Sequence, residues 1–221
     1  MRRNLCKNRR ILSLGFERIV PEYFGPRFKN SGDNKIMYGG IYGSTLQPEA
    51  YYPSGWAMFC DDTLPDKYIS FGVSYKLKKK SRICQIDTFE DYMKVIDKYS
   101  YLDEEKYRPT YLIDFEKMSK DYDAFHLTEN GFCTMRLPYF NYSSFFRIED
   151  YGLGDFYSYD CETWIIFNLN CINKSTVRFE KFPQFTDRDF AIKPNTDPDN
   201  PIDIDLKSRI DRIQSGTPLP F

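Results

Sequence analysis

The chain has 221 residues, of which 41% are hydrophobic and 29% charged, a composition typical of one globular domain with a well-buried core. Its formal net charge of −1 excludes nucleic-acid binding by an overall basic surplus and leaves only the local basic runs at 1–10 and 76–82. No stretch reaches the roughly 18 apolar residues of a membrane-spanning helix, and no secretory signal follows the first arginines. We therefore expect a soluble, cytoplasmic protein without a membrane partner.

The predicted organisation is a single α+β domain over residues 1–190, followed by an irregular tail rich in Pro and Asp over 191–221. Aromatic residues are abundant, with 18 Tyr and 19 Phe. Such a content favours many strands and an amphipathic surface.

In chain order, the first predicted strand is "RILSLGFERIV" at 10–20, ended by a proline. Residues 25–66 are predicted to be mostly loop, with a short strand in "GGIYGST" (39–45) and a helical turn within 48–61. Strands follow at 68–77 and 81–86. The basic run 76–82 between them is interpreted as an exposed hairpin turn or, alternatively, as a contact to phosphate or nucleic acid.

The clearest predicted helix is "DTFEDYMKVIDKYS" at 87–100, in which Thr88 caps the N-terminus and acids occupy the first turn. A second helix is predicted within 112–122. The pattern then indicates a strand at 123–128, a long aromatic loop over 129–158 and an apolar strand at 161–169. A further short strand fits 176–182, and no internal repeat is visible.

The six cysteines are scattered and none forms a CxxC pair, so buried reduced thiols are expected and a structural metal is not. The only histidine, His126, lies in the alternating run "YDAFHLT". That position favours a buried strand histidine over a catalytic base.

Two segments are candidates for a functional site. "GGIYGST" lacks the strand-to-helix setting of a Rossmann or P-loop motif, but glycines beside hydroxyls let a backbone approach a phosphate or ribose, with Trp56, Tyr51 and Tyr52 available for stacking. The alternative is a tight turn with Trp56 in the core. In "YDCETWIIF", side-chain alternation places Asp160, Glu162 and Trp164 on one face. Glu162 is then either a carboxylate at the edge of a cleft or an exposed strand end.

The order of "GGIYGST", "SGW", "ICQIDTFEDYMKVI", "YDAFHLT" and "DCETWIIF" resembles single-domain ADP-ribosyltransferases. More narrowly, it resembles uncharacterised bacterial and phage proteins with a "GGLW-S-T … W" and "WD-S" pattern. The resemblance covers about residues 10–180. It implies a split β-sandwich with a few flanking helices.

The resemblance also implies roles for particular residues. NAD would be a substrate, and Glu162 would be catalytic because it would contact the nicotinamide ribose and stabilise the positive charge formed as nicotinamide leaves. Arg10 is an alternative to Arg18 on the first strand. The side chains implied in binding NAD are Arg18, Tyr42, Ser44, Thr45 and Trp56.

The function implied is mono-ADP-ribosylation of a protein or nucleic-acid acceptor by a toxin, effector or phage protein in the bacterial or host cytoplasm, without a metal. A cognate antitoxin or inhibitor would be a further partner. Asp160 stands where arginine-modifying members carry Glu or Gln, so arginine is not implied as the acceptor. The alternatives are an inactive or repurposed member of the fold, a noncatalytic phage or mobile-element module that binds protein through an aromatic-rich surface, and a nucleic-acid-binding protein that uses the basic run.

Overall fold

The computed structural model describes residues 9–19, 21, 29–30, 36–38, 40–61, 69–103, 110–134 and 161–185. The chain divides into two units, Met1–Asp187 and Arg188–Phe221, and every described residue belongs to the first. The predicted tail and the part of the predicted aromatic loop beyond residue 134 lie outside the described residues.

The described chain contains eleven strands and three α-helices, with a further helical stretch at 129–134. The helices are α1 (Gly55–Asp61), α2 (Phe89–Tyr99) and α3 (Phe115–Asp121). The strands are β1 (Ile11–Leu14), β2 (Lys29–Asn30), β3 (Ile36–Tyr38), β4 (Ile41–Thr45), β5 (Phe71–Tyr75), β6 (Ile83–Ile86), β7 (Ser100–Asp103), β8 (Thr110–Ile113), β9 (Ala124–Leu127), β10 (Thr163–Ile166) and β11 (Arg178–Lys181).

Seven strands form one sheet in the order β11-β5-β1-β4-β10-β9-β6. Every neighbouring pair in it is antiparallel except β6 and β9, which run parallel. The predicted α+β class is confirmed. Two small hairpins, β2-β3 and β7-β8, were not predicted from the sequence.

The first strand is shorter than predicted. It ends at Leu14, because Gly15 adopts a φ of 75° that favours glycine and turns the chain. Arg18 therefore lies in the bend after β1, with an exposed side chain, and not on the strand. The neighbouring Ile19 folds back against the apolar cluster that contains Trp164.

Helix α2 forms where its sequence signals placed it. The Thr88 hydroxyl accepts a hydrogen bond from the backbone N–H of Asp91 at 3.2 Å, which satisfies one of the free donors at the helix start. Its apolar side, including Tyr92 and Ile96, packs with α3 against one face of the sheet through Phe125 and Ile165. This helical layer covers the largest of the three apolar clusters formed by the described residues. No helix among the described residues is both long enough and apolar enough to span a bilayer.

The basic run 76–82 is not a hairpin turn, and that interpretation is wrong. Strand β5 lies next to one edge of the sheet whereas β6 forms the other edge, so residues 76–82 cross over a sheet face. The connection between β10 and β11 holds them there. Leu77 forms a β-bridge with Ile172, and the Lys78 N–H donates to Cys171 O at 2.8 Å. Leu77, Cys171 and Ile172 pack with Trp164 on the face opposite to α2 and α3.

Gly43 lies where β1 and β4 approach too closely for a side chain. A Cβ there would stand 2.7 Å from Leu12 O and 2.8 Å from Ile11 Cγ2. We expect Gly43→Ala to lower the free energy of unfolding by about 1–3 kcal/mol in urea denaturation, because backbone must shift to admit the methyl group. Gly55→Ala is the control, since its Cβ would meet only the Cys161 side chain, at 3.3 Å. Equal losses in both variants would contradict the close approach.

Candidate active site

The site lies where the neighbouring strands β4, β10 and β9 present side chains on one face of the sheet. Trp164 on β10 is directly opposite Gly43 on β4 and His126 on β9. Because side chains alternate along a strand, Thr45 and Glu162 project from the same face as Trp164. The predicted shared face of Glu162 and Trp164 is confirmed by a contact of 3.3 Å between Trp164 Nε1 and a Glu162 carboxylate oxygen.

The Glu162 carboxylate is held by donors from three strands. Its Oε1 accepts from the Thr45 hydroxyl at 2.6 Å, lies 2.7 Å from His126 Nε2, and is approached by the Trp164 indole N–H. Its Oε2 accepts from the Thr45 backbone N–H at 3.0 Å. Since a carboxylate oxygen has two lone pairs, Oε1 is saturated, whereas Oε2 accepts a single hydrogen bond within the described part of the chain.

The backbone beside the carboxylate is also fixed. Ser44 is buried and its hydroxyl donates to the carbonyl oxygen of Glu162 at 2.7 Å. The same hydroxyl lies 3.8 Å from the Cys161 sulfur. Ser44 therefore positions Glu162 through its main chain, while Thr45 holds its side chain.

His126 is enclosed between Glu162 and Trp164. Its ring stacks on the Trp164 indole with centroids 3.7 Å apart and planes 11° from parallel, and its side chain is only 1% exposed. Its Nε2 faces Glu162, whereas its Nδ1 is buried without a hydrogen-bond partner among the described residues. The imidazole is thus oriented by one hydrogen bond and one aromatic face.

The charge state of the pair follows from these surroundings. Burial lowers the pKa of His126, and the opposing effect of the Glu162 carboxylate does not restore it. Burial also opposes ionisation of Glu162, but the hydrogen bonds from His126 and Thr45 outweigh it and hold the pKa of that carboxyl below its usual range. At neutral pH the site therefore contains an ionised Glu162 and a neutral His126 whose Nε2–H donates to the carboxylate.

This arrangement suits stabilisation of a positive charge. The Glu162 side chain retains 12% of its accessible surface, so a ligand can reach it without the carboxylate being fully hydrated. Its geometry is set before any ligand arrives, so little reorganisation is needed. A ligand hydroxyl can donate to Oε2 while the negative charge faces an adjacent electron-poor carbon.

Two of the six residues implied by the resemblance bring their side chains together here, Thr45 and Glu162. Ser44 contacts the Glu162 main chain from the opposite face of β4, beside Cys161. Tyr42 is directed to the opposite face of β4, since it alternates with Gly43. Arg18 forms none of the hydrogen bonds or ion pairs of Glu162 among the described residues, and its role in binding stays a prediction. Trp56 lies on α1, is 37% exposed and stacks on Phe59. The residue before it, Gly55, lies next to the Cys161 side chain.

Arg10, the alternative to Arg18, is engaged elsewhere. Its guanidinium donates to the Ser74 hydroxyl and to Thr176 O at 2.6 and 2.7 Å, and lies 3.9 Å from Glu180 at the β5-β11 edge of the sheet. Arg10 therefore braces an edge strand.

Sequence reasoning missed the roles of His126 and Trp164. His126 was interpreted as a satisfied strand histidine, and its strand position is confirmed, but its partner is the proposed catalytic carboxylate. The only available signal was that His126 and Glu162 both lie in short alternating runs. That signal does not show that β9 and β10 are neighbours, so it could not pair His126 with Glu162.

The buried cysteines are poor nucleophiles. Burial raises the pKa of Cys60, Cys84 and Cys171 to about 12, so these thiols are protonated at neutral pH. The described residues form no disulfide; Cys133 is exposed, and four other cysteines are buried. Within the described ranges there is no cluster of three or more metal-ligating side chains.

Comparison of the chain with protein-family models, with curated proteins and with solved structures found no significant match.

Proposed function

We propose that this protein is an NAD-dependent mono-ADP-ribosyltransferase in which Glu162 is the catalytic carboxylate. The observation that carries the proposal is the held, ionised Glu162 side chain, whose Oε2 accepts one hydrogen bond from the described residues and can accept another. The same side chain retains 12% of its accessible surface, so a ligand can reach it.

In the proposed reaction the bond between C1′ of the nicotinamide ribose and the ring nitrogen of nicotinamide breaks. Its electron pair moves to that nitrogen and neutralises the pyridinium charge. Positive charge then develops on C1′ and the ring oxygen of the ribose. Glu162 Oε2 accepts a hydrogen bond from a ribose hydroxyl and stabilises that charge electrostatically. An acceptor nucleophile attacks C1′ and releases a proton.

The surrounding residues support this role in different ways. Thr45 and His126 hold the carboxylate on Oε1, and the Thr45 backbone N–H holds Oε2. Trp56 offers an exposed indole for stacking on a flat ring, as the resemblance implies. Arg18 offers an exposed guanidinium for the pyrophosphate. The proposed acceptor is a protein or a nucleic acid.

The proposal is tested by incubating the protein with NAD labelled in the adenylate moiety and with a cell lysate. Nicotinamide release is measured by chromatography, and label transfer is followed before and after treatment with protease or nuclease, which identifies the class of acceptor. We expect nicotinamide release and one labelled class. Absence of both with every acceptor fraction would refute the enzymatic proposal.

A noncatalytic protein-binding module is the second candidate, and one observation favours it. Helix α1 and the segment that leads into it carry exposed large side chains, including Met58 at 56% and Tyr51 at 55% exposure. Aromatic residues and Met are enriched in protein interfaces. This candidate predicts that the protein shows no affinity for NAD and that Trp56→Ala weakens a protein complex while leaving the fold unchanged.

A further inference from the structure

A row of polar side chains lies beside Glu162, where β6 and β9 run parallel. Gln85 on β6 is directly opposite His126 on β9. Residues opposite one another on neighbouring strands share a face, so Gln85 projects from the sheet face that carries His126 and Glu162. The ladder continues one residue beyond both strands, because the Thr128 N–H donates to Ile86 O at 3.0 Å. The side chains that follow β6 and β9 are therefore neighbours too.

Asp87 supplies a second carboxylate to this row. It follows β6 by one residue and alternates with Ile86, so its side chain lies on the same face as that of Gln85. Its Oδ1 accepts from the Thr128 hydroxyl at 2.7 Å, and its main-chain oxygen accepts from the Asn130 side chain at 2.6 Å. Within the described ranges Oδ2 accepts no hydrogen bond. Asp87 is thus fixed in place with one carboxylate oxygen available.

Asp87 and Glu162 lie on either side of one small residue, Thr128. The β9-β10 register, extended by one residue, sets Glu162 opposite Thr128, which in turn bonds Asp87. Two strand spacings, about 10 Å, therefore separate the main chains of the two acidic residues. Burial lowers the pKa of His126 overall, whereas Glu162 and, more weakly, Asp87 act to raise it. Both carboxylates therefore lie near the same imidazole.

The β6 side of Glu162 also contains polar groups with unused hydrogen-bonding capacity. The Gln85 amide is half-buried and forms no hydrogen bond with the part of the chain that the structure describes. His126 Nδ1, in a side chain that is 1% exposed, has no partner there either. Polar groups buried in a folded protein are usually hydrogen-bonded. Their concentration beside Glu162 and Asp87 points to a site for a hydrogen-bonding ligand.

The opposite flank of Glu162, toward β1, carries positive charge. Ile11 on β1 is directly opposite Thr45. Arg9, two residues earlier, is exposed, and its charge adds to burial in lowering the pKa of His126. An anionic pyrophosphate is favoured on this flank and disfavoured beside Asp87. The charges on the two flanks therefore direct NAD to the β1 side and leave the β6 side for the acceptor.

From this arrangement we propose that Asp87 is a second catalytic carboxylate, which takes the proton of the acceptor nucleophile on the β6 side of Glu162. The inference rests on the proposed cleavage of NAD. As the bond from C1′ to nicotinamide breaks, its electron pair goes to the nicotinamide nitrogen, and a lone pair of the nucleophile forms the new bond to C1′. The proton that the nucleophile loses goes to Asp87 Oδ2 and then to solvent.

Two carboxylates beside one subsite also select the charge of the acceptor. A carboxylate or phosphate nucleophile would be repelled by Asp87 and Glu162, and it has no proton to give up. A neutral nucleophile with an O–H or N–H bond is not repelled and needs the base. Gln85, which can both donate and accept, can hydrogen-bond the atoms next to that nucleophile. The acceptor class that fits is therefore a neutral hydroxyl, amine or amide.

The test measures which small nucleophile captures the ADP-ribosyl group. Methanol is the neutral probe that carries a proton, and azide is the anionic probe that carries none. The whole chain is incubated with NAD and both probes, and nicotinamide, methyl ADP-ribose and ADP-ribosyl azide are separated by chromatography. In Asp87→Asn we expect capture by methanol to fall about 100-fold, as for loss of a general base. Capture by azide should rise about fivefold, because azide needs no base and meets one negative charge fewer.

The matched control is Asp97→Asn, which removes the same charge from an exposed position on α2, the helix that covers the other sheet face. It is expected to leave both products unchanged. Asp87→Asn keeps an oxygen that can accept from Thr128, and circular dichroism with thermal melting checks that both variants fold. Azide is not expected to rescue Glu162→Gln, because that change slows cleavage of NAD itself.

Unchanged capture by methanol in Asp87→Asn would overturn the assignment of Asp87, and so would equal losses of capture by methanol and azide. Either result, with nicotinamide still released by the wild type, would leave the proposed function intact. Absence of nicotinamide release from the wild type would overturn the proposed function and this inference with it.

Discussion

Replacement of Glu162 by Gln is expected to reduce nicotinamide release from NAD by about 100- to 1,000-fold, the loss typical for removing one preorganised electrostatic contact to a transition state. Gln has nearly the same shape, so the pocket is preserved while the negative charge is removed. Its oxygen can accept from Thr45, His126 and Trp164, as Oε1 does now. Its NH2 would then face the Thr45 N–H, so a modest loss of stability is also expected.

The activity loss must be separated from that loss of stability. NAD affinity by calorimetry and the free energy of unfolding by urea are measured on the same Glu162→Gln sample. We expect NAD affinity to fall far less than turnover, because the charge that Glu162 stabilises is absent from bound NAD. Glu180→Gln is the control, since Glu180 is a carboxylate hydrogen-bonded to Ser74 on the edge strand pair. Turnover that survives in Glu162→Gln would remove Glu162 from the chemistry.

Local elements could be predicted from the sequence because their causes are local. Thr88 and the acids after it mark the start of α2, and the prediction is confirmed to within a residue or two. Strand β10 is likewise an apolar run whose alternation correctly placed Glu162 beside Trp164. The first strand was overextended because the turn at Gly15 depends on a positive φ that a single glycine signals weakly.

The contacts that build the site could not be predicted because they join distant segments. Thr45 and Glu162 are separated by 117 positions, and His126 and Glu162 by 36. Which strands become neighbours depends on the packing of the whole sheet, and the order β4-β10-β9 is not the chain order. The crossover at 76–82 shows the same limit, since a hairpin is the usual connection when two predicted strands are close in sequence.

Replacement of His126 by Phe is expected to lower the free energy of unfolding by about 1.5–3 kcal/mol at neutral pH. Phe preserves an aromatic ring to stack on Trp164 but donates no hydrogen bond, so the ionised Glu162 loses a donor. In a double-mutant cycle with Glu162→Gln, the combined loss should be smaller than the sum of the single losses, because the second change removes the charge that needed the donor. Strict additivity would show that the 2.7 Å contact contributes little.

The same variant tests the charge state of the pair through pH. His126 has its pKa lowered from 6.5 in the folded state, so the unfolded chain takes up a proton first as pH falls below that value. Stability should therefore fall on acidification, by up to about 1.4 kcal/mol per pH unit, between 6.5 and the folded pKa. Glu162, whose pKa is lowered from 4.5, adds a second loss below that pH. Arg9 opposes protonation of His126, and Asp87 and Glu162 favour it.

His126 is the only histidine of the chain, so few other groups titrate in the first of these windows. Urea unfolding from about pH 7 to about pH 5 should show a falling stability in the wild type and a flatter dependence in His126→Phe. Parallel curves would mean that folding leaves the pKa of His126 unshifted. A wild-type stability that instead rises on acidification relative to His126→Phe would mean that His126 is already protonated in the folded protein. The contact with Glu162 would then be an ion pair, and the carboxylate would have less net charge to offer a developing cation. The flatter curve instead leaves the full negative charge of Glu162 directed at the ligand.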